Sequence, residues 1–217
     1  MRKLTSGTSD FTKIRLDNAI YVDKTEYCWT MIRDISNSQY FLSRPRRFGK
    51  SLTISTLEAI FQGKKDLFKG LAIYDKPYDW KKYPVIHLDM NGRNFGSVEL
   101  LEYSLREIVA EQGRMLNVQL EREDSSAMFQ KLIEKLSADG SQVVVLLDEY
   151  DKPILNNITE PDAREYLKAL KAFYSVIKEK SARIRFAFVT GVTKFCHVSL
   201  FSDLNNLLDI TMNADYA

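Results

Sequence analysis

Arg44-Pro45-Arg46-Arg47-Phe48-Gly49-Lys50-Ser51 is the stretch on which the fold of this chain turns. It follows a β-rich run, Tyr40-Phe41-Leu42, and precedes an amphipathic stretch from Leu52 to Phe61 that Gly63 closes. A strand, a tight loop ending in Gly-Lys-Ser and then a helix is the setting of a phosphate-binding loop. Each residue type has a physical task there. Backbone N–H groups at the helix N-terminus form a nest for an anion, and Gly49 lets the chain approach phosphate. Lys50 neutralises the β- and γ-oxygens, and Ser51 coordinates Mg²⁺. Arg46, Arg47, Phe48 and Leu52 complete the candidate nucleotide-binding set around them. The usual pattern Gly-x-x-x-x-Gly-Lys-[Ser/Thr] has glycine where this chain has Arg44. The loop alone is therefore weak evidence, and support has to come from elsewhere in the chain.

That support is Val143-Val144-Val145-Leu146-Leu147-Asp148-Glu149-Tyr150-Asp151, an aliphatic run ending in paired acids. At the carboxyl end of a buried parallel strand, Asp148 would sit beside the loop and hold Mg²⁺, usually through water. Glu149 would orient and deprotonate an attacking water. The bland alternative is a strand that ends in a polar surface turn.

Two more β-rich runs, Val85-Ile86-His87-Leu88-Asp89 and Phe186-Ala187-Phe188-Val189-Thr190, alternate with segments of helical period. Leu101, Leu105 and Ile108 recur at i, i+4, i+7. Phe129, Leu132, Ile133 and Leu136 recur at i, i+3, i+4, i+7, stopped by Gly140. A third helix is expected from near Pro161 through Tyr166, Leu170, Phe173 and Ile177. Residues 10–31 read as a loop, a short extended piece and the start of a helix. The pattern predicts an α/β fold, a three-layer sandwich with a parallel sheet and helices on both faces. It is of the P-loop NTPase type with an additional strand and a catalytic glutamate. The strand ending at Asp89 is expected as the extra strand between the loop strand and the acidic strand, so that the Asp148 strand would lie between those ending at Asp89 and Thr190. Thr190 would point its hydroxyl toward the γ-phosphate or the attacking water, or else begin the turn at Gly191.

Composition narrows the class further. The 217 residues suit one domain on a scale of roughly 100–200 residues per domain, and residues 1–217 are expected to form one. Lys plus Arg is 31 and Asp plus Glu is 29, so 31 − 29 gives a net charge of +2. Any affinity for nucleic acid would then need a local patch rather than a general cationic field. The longest aliphatic run, Val143 to Leu147, is far short of the roughly 20 residues a membrane-spanning helix needs, and no basic leader precedes an apolar stretch. A cytoplasmic location is expected. Cys28 and Cys196 are far apart and read as reduced thiols, with only His197 adjacent to the second.

Tyr21, within the 1–38 segment upstream of the loop strand, is a candidate for the adenine and ribose, or else an aromatic core residue. Arg44, Arg46 and Arg47 would supply charge to nucleotide phosphates or form a patch for a partner or nucleic acid, since arginine forks suit phosphate on any carrier. His87 and His197 read as structural.

Together these segments resemble a known family. Tyr21-Val22-Asp23-Lys24-Thr25, Arg44 through Leu52, Leu147-Asp148-Glu149-Tyr150-Asp151-Lys152-Pro153, and Thr190-Gly191-Val192-Thr193-Lys194-Phe195 through Phe201-Ser202-Asp203-Leu204-Asn205-Asn206-Leu207 resemble the predicted AAA-ATPase-like family of bacteria and archaea. In that family Arg-Pro-Arg-Arg likewise replaces the leading glycine. The resemblance implies binding of ATP with Mg²⁺ and hydrolysis to ADP and phosphate, switching a partner or effector domain. Family members commonly continue into a restriction-endonuclease-like nuclease domain. By that resemblance this chain, stopping at Asp215-Tyr216-Ala217, lacks the lid and effector regions. Two other readings stay open. One is a nucleotide-gated interaction module with negligible hydrolysis alone, because an arginine supplied in trans is worth roughly 10³–10⁵ in rate. The other is a DNA-associated regulatory domain. Self-association is left open by the sequence.

Overall fold

Val143–Asp148 forms a strand whose six side chains are all buried in a computed structural model, which describes residues 4, 7–34, 37–155, 157, 163–194, 207–213 and 216. The strands are β1 (Gln39–Ser43), β2 (Val85–Asp89), β3 (Val143–Asp148), β4 (Ile184–Gly191) and β5 (Leu208–Asp209). All pair in parallel, in the order β2-β3-β4-β1-β5. The Asp148 strand thus lies between those ending at Asp89 and Thr190, as expected, but the strand inserted between it and the loop strand is β4 rather than the Asp89 strand, because β2 pairs on the far side of β3 and forms the edge of the sheet.

The aliphatic run of β3 reads as continuous because both of its faces are covered. Val143, Val145 and Leu147 pack beneath α4 (Val98–Met115), α5 (Ser125–Leu136) and α6 (Ala163–Glu179), together with Leu105, Phe129 and Phe173. Val144 and Leu146 face the opposite layer of α1 (Phe11–Leu16), α2 (Thr25–Arg33) and α3 (Lys50–Phe61), with Ile54, Leu57 and Phe61. This two-sided burial makes β3 intolerant of truncation, at about 2–5 kcal/mol for a leucine cut to alanine. The sheet with helices on both faces is the α/β arrangement the sequence predicted.

Several bounds differ from expectation. Residues 11–16 form a helix rather than a loop: the Asp10 side chain caps it by accepting from the Lys13 N–H, and Phe11 and Ile14, three apart, are buried. Helix α3 begins at Lys50, two residues before Leu52, with Gly49 as its cap. Strand β4 runs longer than its aliphatic centre. Strand β5 is a two-residue edge pairing, Tyr40 with Leu208 and Phe41 with Asp209, that no periodicity announces. Helix α5 is capped at Ser137, ahead of Gly140. Pro161, Cys196, His197 and the Phe195–Asn206 stretch lie outside the described residues.

Candidate functional site

The loop between β1 and α3 is built by two residues with left-handed backbone, Arg47 at φ 69° and Gly49 at φ 77°. Glycine takes that conformation without cost, and no atom lies within 4 Å of where a Gly49 side chain would start. Conformation, rather than space, is what calls for glycine here. The N–H groups of Arg46, Arg47, Phe48 and Gly49 find no backbone acceptor among the described residues, and the first N–H groups of a helix have no partner within it. The loop therefore offers a row of donors at a positive helix end, which suits a phosphate. Lys50, 6% exposed, folds over this row and donates to the carbonyl oxygens of Arg44 (2.8 Å) and Pro45 (3.1 Å). Ser51 and Leu52 follow, half-buried, on the first turn of α3. Arg46 and Arg47 stand exposed, and Phe48 is 60% exposed.

The strand order brings the acidic turn to the same edge of the sheet. Leu42 of β1 pairs with Thr190, and Leu147 of β3 pairs with Val189. At about 4.8 Å per strand, the end of β3 is roughly 10 Å from the start of the loop. The Arg44 N–H donates to the Gly191 carbonyl at 3.2 Å, which ties the loop to β4. Asp148 is 2% exposed. Its Oδ1 accepts from the Thr190 hydroxyl at 2.5 Å and from the Glu149 N–H at 3.0 Å. Thr190 is fully buried, and its hydroxyl is turned to Asp148.

Glu149 has φ 52°, a conformation that costs a non-glycine residue on the order of 1–3 kcal/mol and persists where the surroundings over-determine it. Its Oε2 lies 3.5 Å from Lys152 Nζ, and that ammonium donates to Asn91 Oδ1 at 2.6 Å, just past β2. Asn91, Lys152 and the buried Asp151 are neighbours that periodicity and motif spacing did not single out as site residues. Their roles depend on which strand ends meet.

Tyr21 also comes to the loop. A cavity of about 210 Å³ is lined by Tyr21, Val22 and Lys24 on one side and by Gly49, Leu52 and Thr53 on the other. The Tyr21 ring meets Phe11 edge-on at 5.1 Å, and its hydroxyl is 3.4 Å from Thr56 Oγ1. Burial pushes the Tyr21 phenol well above its ordinary range, so it stays neutral. Asp23 and Thr25 of the same segment are structural: Asp23 accepts from the Thr25 hydroxyl at 2.7 Å and from the Ala72 N–H at 2.7 Å. A second cavity of about 340 Å³, with Arg44, Phe48, Phe188 and Ile210, shares Lys24 and Thr53. His87 is placed away from this edge, its Nδ1 3.3 Å from Glu58 Oε2. No group of three or more His, Cys, Asp or Glu side chains fit for a metal occurs among the described residues. Among them no helix is long and apolar enough to cross a membrane.

The predicted site residues thus gather at one edge, with Asp148, Glu149 and Thr190 at the ends of β3 and β4 and Lys50 and Ser51 on the first turn of the helix that follows β1. Comparison with known proteins agrees with the motifs. A protein of Azotobacter chroococcum mcd 1, described as an uncharacterized protein in the vnfD 5' region, is 43% identical over 220 residues. The match takes in 100% of this chain, which spans 42% of the length of that relative. No solved structure matches. The AAA-ATPase-like family model, described as predicted AAA-ATPase, matches residues 5–201, from upstream of Tyr21 to beyond Thr190. With the loop, the acidic strand and the closing threonine all inside that match, the chain belongs to the predicted AAA-ATPase family, whose membership suggests nucleotide binding.

Proposed function

We propose that this chain binds ATP with Mg²⁺ at the carboxyl edge of its sheet and hydrolyses it to ADP and phosphate, as a P-loop NTPase of the additional-strand type. The observation that supports the reading is the Thr190–Asp148 hydrogen bond, which orients an acid one strand beyond the loop's own neighbour, where it would serve as a ligand for Mg²⁺. The free loop N–H groups and Lys50 are donors suited to the β- and γ-phosphates. Ser51 and Asp148 are hard oxygen ligands suited to Mg²⁺, an ion that keeps several waters and needs few protein ligands. When bound, Mg²⁺ would compensate charge developing on the phosphates. The remaining work belongs to side chains. Lys50 leaves the Arg44 and Pro45 carbonyls for phosphate oxygens, Glu149 accepts a proton from the attacking water, and Thr190 holds Asp148 in orientation. Tyr21 and Lys24 offer an aromatic face and a cation to base and ribose. The side chains of Arg46 and Arg47 stand exposed on the loop, where they could meet phosphate or a partner.

Nucleotide state would then switch a partner or effector domain, including a nuclease-like one in a longer protein. A second reading, tight binding with negligible hydrolysis in isolation, is favoured by the Glu149–Lys152 ion pair, which engages the proposed base. A fluorescent ATP analogue with and without Mg²⁺, followed by phosphate release, separates the readings. Lys50→Ala is expected to abolish binding, and Glu149→Gln to keep binding while slowing release. Wild-type release from the Glu149→Gln protein would sink the assignment of the base, and binding without release by the wild type would select the switch.

A further inference from the structure

Asp151 lies three residues past Asp148, and neither metal binding nor the water attack uses it. It is completely buried. Its Oδ2 accepts three bonds from one short segment, the Val192 N–H at 2.9 Å, the Thr193 N–H at 2.7 Å and the Thr193 hydroxyl at 3.0 Å. Its Oδ1 has no hydrogen-bond partner. Burying a carboxylate is costly unless donors converge on it, and all the donors here belong to the residues that follow β4.

The same junction is fastened twice more. The Tyr150 N–H donates to the Thr190 carbonyl at 3.0 Å, and the Tyr150 hydroxyl donates to the Thr193 carbonyl at 2.8 Å. Glu149 stands between Asp148, bonded to Thr190, and this Tyr150–Asp151 clamp. Its left-handed backbone is flanked on both sides by bonds to the end of β4 and the two residues that follow it.

We infer that Asp151 is a positioning residue: by gripping residues 192 and 193 it holds the turn that aims the Glu149 carboxylate at the nucleotide edge. The catalytic part of this inference rests on the ATPase reading, and the geometric part does not. Without the grip the turn relaxes from the left-handed conformation, and the base moves relative to the loop while the phosphate-binding residues stay in place. Misplacement of a reacting group by about 1 Å costs as much as 10²-fold in rate.

The test uses Asp151→Ala and Asp151→Leu, neither of which leaves an acceptor for residues 192 and 193; leucine is close to aspartate in size, so if the alanine variant fails to fold, the leucine variant carries the test. Two readouts are taken on each. Backbone chemical shifts of Glu149 report whether its φ stays positive. Phosphate release and affinity for the ATP analogue report kcat and binding separately. Glu149 should leave the left-handed region, and kcat should fall by about 10- to 100-fold with affinity unchanged. An unchanged Glu149 conformation overturns the inference, as does a parallel loss of affinity, kcat and melting temperature, which marks a merely structural role. If the wild type binds the analogue and releases no phosphate, the ATPase reading alone falls, and the Glu149 conformation still decides the positioning role.

Discussion

Gly191→Ala should destabilise the protein strongly, and the reason is space rather than backbone conformation. A Cβ at this position would lie 2.3 Å from Tyr150 Cε1, 2.5 Å from Tyr150 Cδ1 and 2.8 Å from Asp151 Oδ1. Ordinary carbon contacts are at about 3.5–4.0 Å, so the overlap exceeds 1 Å. The ring has nowhere to go. It is fully buried, sits edge-on to Phe41 at 5.4 Å and is held by its hydroxyl bond to Thr193. Overpacking typically costs 1–3 kcal/mol, and a ring pinned at both ends places this substitution near the top, at about 3 kcal/mol. With a urea slope of about 3 kcal/mol/M, as suits a chain at the larger end of the small-protein range, the unfolding midpoint should fall by about 1 M. Repeating the substitution in a Tyr150→Leu background should recover most of the loss, because neighbours in contact couple. A midpoint within about 0.2 M of wild type, with an unchanged slope, would refute the reasoning.

Other groups carry separate predictions. Burial opposes protonation of His87, but the Glu58 bond and the charges of Glu58, Asp89 and Asp148 outweigh it and raise the imidazole above its ordinary 6.5. That contribution is fully present below 6.5 and is lost as pH rises through the raised value. His87→Gln should therefore cost more in urea midpoint at about pH 5.5 than at about pH 9, and the reverse order would contradict the ion pair. Burial pushes the Cys28 thiol up to about 12, so it should resist iodoacetamide in the folded protein near neutral pH and react on unfolding. Peptide mapping that finds Cys28 alkylated in the native state would disprove its burial.

Much of the frame was legible because it rests on local, periodic signals. The bounds of β2 and β3 coincide with their aliphatic runs, and the stripes at Leu101–Ile108 and Phe129–Leu136 fall within the longer helices α4 and α5, since side-chain period reports directly on which faces are covered. The glycine at 49 and the acids at 148 and 149 were legible because their chemistry narrows the choice of residue. Residues 11–16 were misread because their helix is short. It shows only Phe11 and Ile14 to the core, too few for a period, and its capping bond from Lys13 to Asp10 resembles a turn signal.

Three features lay beyond any reading of the chain alone. Strand β5 exists through a pairing across about 168 positions, where the Ser43 N–H donates to the Thr211 hydroxyl. Thr190 meets Asp148 because β4 inserts between β1 and β3. Asp151 becomes a clamp only once the end of β4 lies beside it. The amino-acid sequence by itself determined the parallel α/β frame, the Gly-Lys-Ser loop between strand and helix and the acidic strand, because residue type and period act over a few neighbours. Only the tertiary structure decided that β4 separates the loop strand from the acidic strand and which side chains grip one another at that edge, because those contacts join residues about 40 to 170 positions apart, and sheet order is set by the burial of both faces of the whole sheet.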